Sequence, residues 1–295
     1  VPAPDILETL PLTAWQGPFA PAIRSRAVAA LEAGKLIVLP DLRFPLAPEE
    51  KQFLDPATSG DTRKNISFDP ASGKIGNAAL ADSDAARFAV MMDRFGRTSL
   101  QFLQDLLPPY AIHIERARTS FRPDEIEGRF YSPRHDDKRL HVDAFPSHPM
   151  RGKRILRLFC NIAEDGASRH WHVGEPFAGF AHQFMPRLKP PVPGYAWILE
   201  RFGITKGRRS IYDHYMLDLH DGAKLDADYQ ATVAKTELAF APGTTWLCFT
   251  DQVLHAALKG HAALEQTFHL PVEAMMEPES SPLRVLEKIS GRALA

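Results

Sequence analysis

The segment RLHVDAFPSHPM, residues 139–150, sets a histidine and an aspartate two positions apart and follows them with a proline-punctuated turn. In extended backbone the side chains at i and i+2 leave the same face, so His141 and Asp143 converge on one point. A neutral imidazole and a carboxylate at one point suit a divalent first-row metal. A histidine from a distant strand would complete a facial triad of two histidines and one carboxylate, with positions left open for substrates. The same short pattern also describes a solvated polar edge that happens to carry an imidazole. A third ligand separates the two readings.

Of the 12 histidines, His255 is the leading third ligand. It closes the run GTTWLCFTDQVLH, which reads as a turn, a buried strand and a short polar rim. A histidine at the start of the next strand points back into the mouth of a barrel. His172, in RHWHVGEPF, competes, because with His170 it forms a His-x-His pair. The chain between Asp143 and His255 is long enough for several strands and an insertion before the sheet returns alongside.

Working outward, the texture of the chain changes near residue 111. AIHIERARTSF alternates apolar and polar residues with the period of a half-buried strand. KRILRLFCNIA, HWHVGEPF, KTELAFAPGTTWLCFT and EQTFHLPVEA are also strand-like and are broken by Gly, Pro and Asp turns. The first 110 residues are helix-rich. SRAVAALEAGKLIVLPDL reads as a helix ending at Gly34 and a short buried strand, Leu36–Leu39. The run beginning at Asp82 carries apolar residues at helical spacing, with Asp82 or Ser83 as a cap and Pro108–Pro109 as the stop. The expected fold is α+β, mainly β: a jelly-roll core over 111–272, buttressed by N-terminal helices and followed by a C-terminal tail or helix over 273–295. Its 25 prolines are scattered, and no repeat or linker divides the 295 residues, so one domain is expected.

Composition narrows the function classes. A formal net charge of −1 and the absence of a coherent basic stripe disfavour nucleic-acid binding. Cys160 and Cys248 are far apart in apolar runs, which suits buried free thiols in a reducing compartment. No stretch reaches the roughly 20 apolar residues that cross a bilayer, and the N-terminal residues lack the layout of a secretory signal. The segment 190–226 reads as an insertion between strands that mixes Tyr195, Trp197 and Phe202 with Lys206, Arg208 and Arg209. It is either a cover over one end of the sheet or a surface that adsorbs an anionic, lipid-bearing substrate.

The long stretches RLHVDAFPSHPMRGKRILRLFCNI, HWHVGEPF, YDHYMLDLHD, PGTTWLCFTDQVLHAALKG and LEQTFHLP resemble the Kdo hydroxylase family over roughly residues 115–272. The resemblance implies a double-stranded β-helix (jelly roll) and a dioxygenase dependent on iron(II), 2-oxoglutarate and O2, with ascorbate supportive. It implies His141, Asp143 and His255 as the metal ligands. The implied substrate is the 3-deoxy-D-manno-octulosonic acid (Kdo) of Kdo-bearing lipid A, hydroxylated at C3 to give Ko while 2-oxoglutarate becomes succinate and CO2. A cytoplasmic enzyme touching the inner face of the inner membrane follows.

The far carboxylate of 2-oxoglutarate calls for a cation, preferably a guanidinium. Relatives in the wider dioxygenase superfamily place an arginine beyond the distal histidine, where this chain has the neutral Gln266. An arginine buried mid-strand is costly unless paired, which favours Arg157 in RILRLFCNI as the anion partner. Asn161 or Gln266 would add hydrogen bonds, and Arg154 is the second choice. For the anionic sugar, Arg122, Arg129, Arg134, Lys138 and Arg139 precede the motif among interleaved acids. Arg129 and Arg134 lead, with His148 and Trp171 at the mouth and Lys153 and Arg208 behind them. Rival readings are the same iron chemistry on another polar substrate, a non-catalytic metal-binding jelly roll that recognises a sugar, and a zinc hydrolase.

Overall fold

Alternation and continuous apolar runs in the second part of the chain become two facing sheets. The computed structural model describes residues 5–55, 58, 65–123, 125–128 and 131–295. Strands β1 (Leu7–Thr9) and β2 (Leu36–Leu39) flank helix α1 (Pro21–Glu32), and β3 (Ile66–Asp69) and β4 (Lys74–Gly76) precede the long α2 (Asp82–Leu106). Then come β5 (Glu115–Arg122), β6 (Arg154–Asn161) and β7 (Arg169–Val173). Four helices follow: α3 (Phe177–Phe184), α4 (Tyr195–Arg201), α5 (Ile211–Leu225) and α6 (Ala227–Thr232). The chain closes with β8 (Thr236–Phe240), β9 (Thr245–Phe249), β10 (His255–Lys259), β11 (Ala263–Leu270) and α7 (Pro282–Ser290).

The large sheet runs β1-β2-β9-β6-β11-β5-β3-β4 and the small one β10-β7-β8. β6 is buried along nearly its whole length because it lies in the middle of the large sheet, with both faces covered. Leu156, Leu158 and Cys160 join Leu247, Leu264 and Phe268 in a core shared with α1 and α2. The other face looks toward the small sheet. There Phe159, Trp246 and Phe240 stack nearly parallel, with centroids 5.3 and 4.1 Å apart, and Trp171 meets them edge-on. This aromatic plug fills one end of the space between the sheets, leaving the other end for polar side chains.

Helix α2 buries Phe88, Met91, Met92, Phe95, Ser99, Phe102 and Leu106, the spacing of a single helical face. Gly96 on that face has a local reason: a Cβ there would stand 2.1 Å from Nη2 of Arg116, whose guanidinium pairs with Asp93 at 2.7 Å. Two expectations need correction. The N-cap of α2 is Ala81, without a side-chain cap, rather than Asp82 or Ser83. The insertion between β7 and β8 begins with α3 at Phe177 and ends with α6 at Thr232, wider than 190–226. Among the described residues no helix is long and apolar enough to cross a membrane.

Candidate metal centre

His141 and Asp143 lie on an extended edge rather than in a regular strand. His141 forms a two-way backbone bridge with His255: its N–H donates to the His255 carbonyl at 3.1 Å and the His255 N–H returns the bond at 2.9 Å. The Asp143 N–H donates to the Thr250 carbonyl at 2.8 Å. These bonds dock the His-x-Asp segment beside β10, so all three side chains enter one end of the barrel. Their ligand atoms all lie within 4.8 Å of one another, and each residue is buried. Nδ1 of His141 contacts the Arg139 carbonyl at 2.8 Å, and Nδ1 of His255 contacts that of Val253 at 2.9 Å. Each bond fixes its imidazole and leaves Nε2 directed inward, the usual support for a metal-ligating histidine.

The electrostatics favour the ligating forms. Burial, and next the His255 imidazole, push His141 well below its ordinary range; burial also lowers His255 against the pull of Asp143. Burial alone would raise the Asp143 carboxyl, but Arg157 and the two imidazoles hold it well below the usual carboxylate range. Two neutral imidazoles and one carboxylate are the protonation state a divalent metal requires. Arg157 Nη1 approaches Asp143 Oδ2 to 3.1 Å and Glu265 Oε1 to 3.4 Å. The approach to Asp143 is an ion pair without hydrogen-bond alignment, and among the described residues neither Asp143 Oδ2 nor Arg157 Nε has a hydrogen-bond partner.

A cavity of about 170 Å³ surrounds the triad, with Phe159, Trp171, Arg169 and Arg122 on its inner walls and His220 and Lys224 of α5 at its rim. Trp171 stacks on His255 at 5.1 Å, and its Nε1 is buried with no hydrogen-bond partner among the described residues. Arg169 is 2% exposed and donates to the Gly260 carbonyl. Among the described residues no carboxylate lies within ion-pair distance of it. Burial and then the Arg122 charge bring its guanidinium down to about 9, which marks a buried cation short of an anion. A small diacid chelating a metal at the triad would meet both the cation and the free indole N–H.

The chain matches the 3-deoxy-D-manno-oct-2-ulosonic acid (Kdo) hydroxylase family over residues 14–293. It belongs to that family. Solved structures agree in fold along nearly the whole chain. One is the Kdo hydroxylase KdoO, a non-heme Fe(II) α-ketoglutarate dependent dioxygenase, with α-ketoglutarate and Fe(III): 45% identity, TM-score 0.94, covering 98% of this chain and 97% of that one. KdoO with cobalt(II) gives 45% identity and a TM-score of 0.95 over the same shares, and its apo form 46% and 0.94. No curated protein sequence matches the chain.

Within this Kdo hydroxylase family member, several expected contacts fall elsewhere. Arg154 is fully buried on the helix side of β6, paired with Asp251 at 2.8 Å. Gln266 also faces that side, where it bonds Thr119 Oγ1 and the Ala117 carbonyl. The Asn161 amide donates to the Ala167 and Phe240 carbonyls and receives the Ala163 N–H. All three are corrections: strand alternation or local backbone demand takes them from the cavity. Arg157 does enter the cavity, but paired with carboxylates. Trp171 is a buried wall rather than a mouth residue. His148 lines a neighbouring groove, Arg134 lies outside both cavities on an exposed pair with Asp221, and Lys153 pairs with Glu115. Arg208 is exposed, Lys138 lines neither cavity, and Arg139 donates to the Lys224 carbonyl. His170 and His172 point to the outer face of the small sheet, His170 onto Glu237 at 3.0 Å. Arg129 lies outside the described residues.

Arg169 and His220 were missed. In RHWHV the period-two alternation places Arg169 with Trp171 and Val173, a signal readable in the sequence. His220, whose ring lies 5.2 Å from that of His141, carries no local signal beyond sharing a helix face with Lys224.

Proposed function

We propose that the protein is an iron(II)- and 2-oxoglutarate-dependent dioxygenase that hydroxylates C3 of Kdo in Kdo-bearing lipid A. The observation that carries the reading is a buried His141–Asp143–His255 triad facing Arg169, which has no carboxylate partner among the described residues, on a chain of the Kdo hydroxylase family. His141 Nε2, His255 Nε2 and a carboxylate oxygen of Asp143 would hold the iron. Iron, when bound, supplies O2 activation, coupling the oxidative decarboxylation of 2-oxoglutarate to succinate and CO2 with insertion of the second oxygen atom into a C–H bond.

The chain's own residues bind, orient and exclude water. Arg169, aided by the Trp171 indole N–H and the nearby Arg122, would anchor the far carboxylate of 2-oxoglutarate. Arg157 holds Asp143 ionised and oriented. Phe159 and Trp171 close the inner wall against water. The shared core of N-terminal helices and large sheet supports reading the chain as one domain.

A peripheral position on the inner face of the inner membrane suits the insertion. Of the eleven exposed large apolar side chains among the described residues, six lie between Val192 and Ile204, with Trp197 52% and Phe202 75% exposed. Lys189, Arg201, Lys206 and Arg208 are exposed around them. Aromatics with flanking cations are suited to an anionic lipid surface.

The test is succinate release from 2-oxoglutarate by purified protein with iron(II), ascorbate and O2, with and without Kdo-bearing lipid A. The expected result is strong stimulation by the lipid and a product heavier by one oxygen atom. Turnover that ignores the lipid would discard the substrate, and no succinate from iron-loaded folded protein would discard the oxygenase.

A further inference from the structure

The metal cavity takes up only part of the large sheet's inner face. Beyond it the face continues as a groove of about 530 Å³ floored by β3, β5 and β11. Arg122 and Arg157 belong to the walls of both spaces, so the groove reaches to within one guanidinium of Asp143. Its far wall is built from two pieces of chain. One is the proline turn after the metal motif, which contributes Phe145 and His148; the other is the loop between α4 and α5 of the insertion, which contributes Lys206. They are tied together by the Lys206 N–H donating to the Ser147 carbonyl at 2.8 Å.

The lining has the chemistry of a site for a sugar acid. Lys206 is exposed, and among the described residues no carboxylate pairs with its ammonium. Arg118 is held only loosely, with Asp69 at 3.6 Å and Ser67 Oγ at 3.4 Å. His148 stands between these charges: burial, then Lys206 and Arg118, depress it. Three basic groups therefore share one corner. On the floor, Nε2 of His269 is buried with no hydrogen-bond partner among the described residues, beside the hydroxyl of Thr267. A buried nitrogen without a partner is costly and calls for a polar ligand. The volume lies in the range of small-molecule sites, about three times that of the metal cavity.

We propose that this groove is the sugar subsite: Lys206 and Arg118 take the carboxylate of the sugar acid, and His269 Nε2 and Thr267 bond its hydroxyls. The assignment rests on the hydroxylase reading above and names the residues that select an acidic sugar. It also gives the exposed insertion a second part, since the loop that carries the apolar surface ends in the lysine that receives the headgroup.

Calorimetric titration of the iron-free full chain with the Kdo monosaccharide, its methyl ester and inorganic phosphate tests the subsite without turnover. Kdo is expected to bind, and its methyl ester to bind about tenfold or more weakly, as expected for loss of one charge-assisted contact. Lys206→Ala should weaken Kdo binding by a similar factor and Lys206→Arg should restore it. His269→Phe, which keeps the volume and removes Nε2, should also weaken it. No Kdo binding, binding of phosphate alone, or Kdo binding unchanged in both Lys206→Ala and His269→Phe overturns the proposal. Lipid-stimulated succinate release with unchanged Kdo binding in the variants would sink the groove and keep the hydroxylase. Kdo binding that depends on Lys206 without any succinate release would do the reverse.

Discussion

Arg157 and Arg169 line one cavity with different partners, where the sequence points to a single cavity arginine. Both are cations on strands facing the same cavity, but Arg157 meets Asp143 and Glu265, whereas among the described residues Arg169 pairs with no carboxylate and donates to a carbonyl. Removing Arg157 leaves Asp143 without the charge that keeps it ionised. Arg157→Ala is expected to weaken cobalt(II) binding about 10- to 100-fold, as for other residues that support a ligand, followed by visible absorption titration. Unchanged cobalt affinity would remove that role. Arg169→Ala should instead raise the half-saturating 2-oxoglutarate concentration at least tenfold, the scale of one lost charge-assisted contact, with cobalt affinity unchanged. The triad itself was legible because i, i+2 spacing fixes the facing of His141 and Asp143 and because His255 opens a strand. Arg157's partners were not legible: Glu265 lies on β11, and its register against β6 is a tertiary fact.

At the scale of elements, Glu265 joins three neighbouring strands. It lies on β11, accepts two bonds from Arg122 of β5, at 2.9 and 3.1 Å, and faces Arg157 of β6. At 3% exposure it balances two guanidinium groups at the edge of the groove. Glu265→Ala should therefore cost about 3–5 kcal/mol, the range for breaking a buried pair, seen as a lowered urea midpoint. A loss within a few tenths would show that solvent reaches the network. Helix α4 and its flanks make a separate prediction. Trp197→Ser together with Phe202→Ser should reduce sedimentation with phosphatidylglycerol vesicles at least tenfold, since each large apolar side chain contributes roughly 1.5–3 kcal/mol when fully buried. Equal sedimentation of variant and wild type would reject the lipid-facing surface. Periodicity revealed α2 and the central strands well. It could not reveal that α3 and α6 belong to the same insertion as α4 and α5, because that follows from β7 pairing with β8 across it.

Over the whole molecule, the aromatic plug at one end and the polar cavity at the other make folding sensitive to proton binding at the open end. His269 is pushed down to about 4, first by burial, against about 6.5 in an unfolded chain. The fold holds its neutral form. That stability is complete above about pH 6.5 and is lost as pH falls through 4. The urea midpoint should therefore drop across this window, and more shallowly in His269→Phe. An equal slope in the two proteins would place the proton uptake elsewhere. The jelly-roll class was legible from the alternation of short strands and turns. The position of the groove was not, since it depends on how far the small sheet extends over the large one.

The reciprocal backbone bonds between His141 and His255 have a consequence for metal economy. The backbone spacing that carries the two imidazoles is set by the sheet, and two imidazoles with one carboxylate are donors that several first-row divalent ions accept. Among divalent ions, copper and zinc bind nitrogen–oxygen sites more tightly than iron(II). Such a site is expected to be mismetallated wherever those ions are free. Its working fraction then reports the iron supply of the cell rather than the amount of protein made.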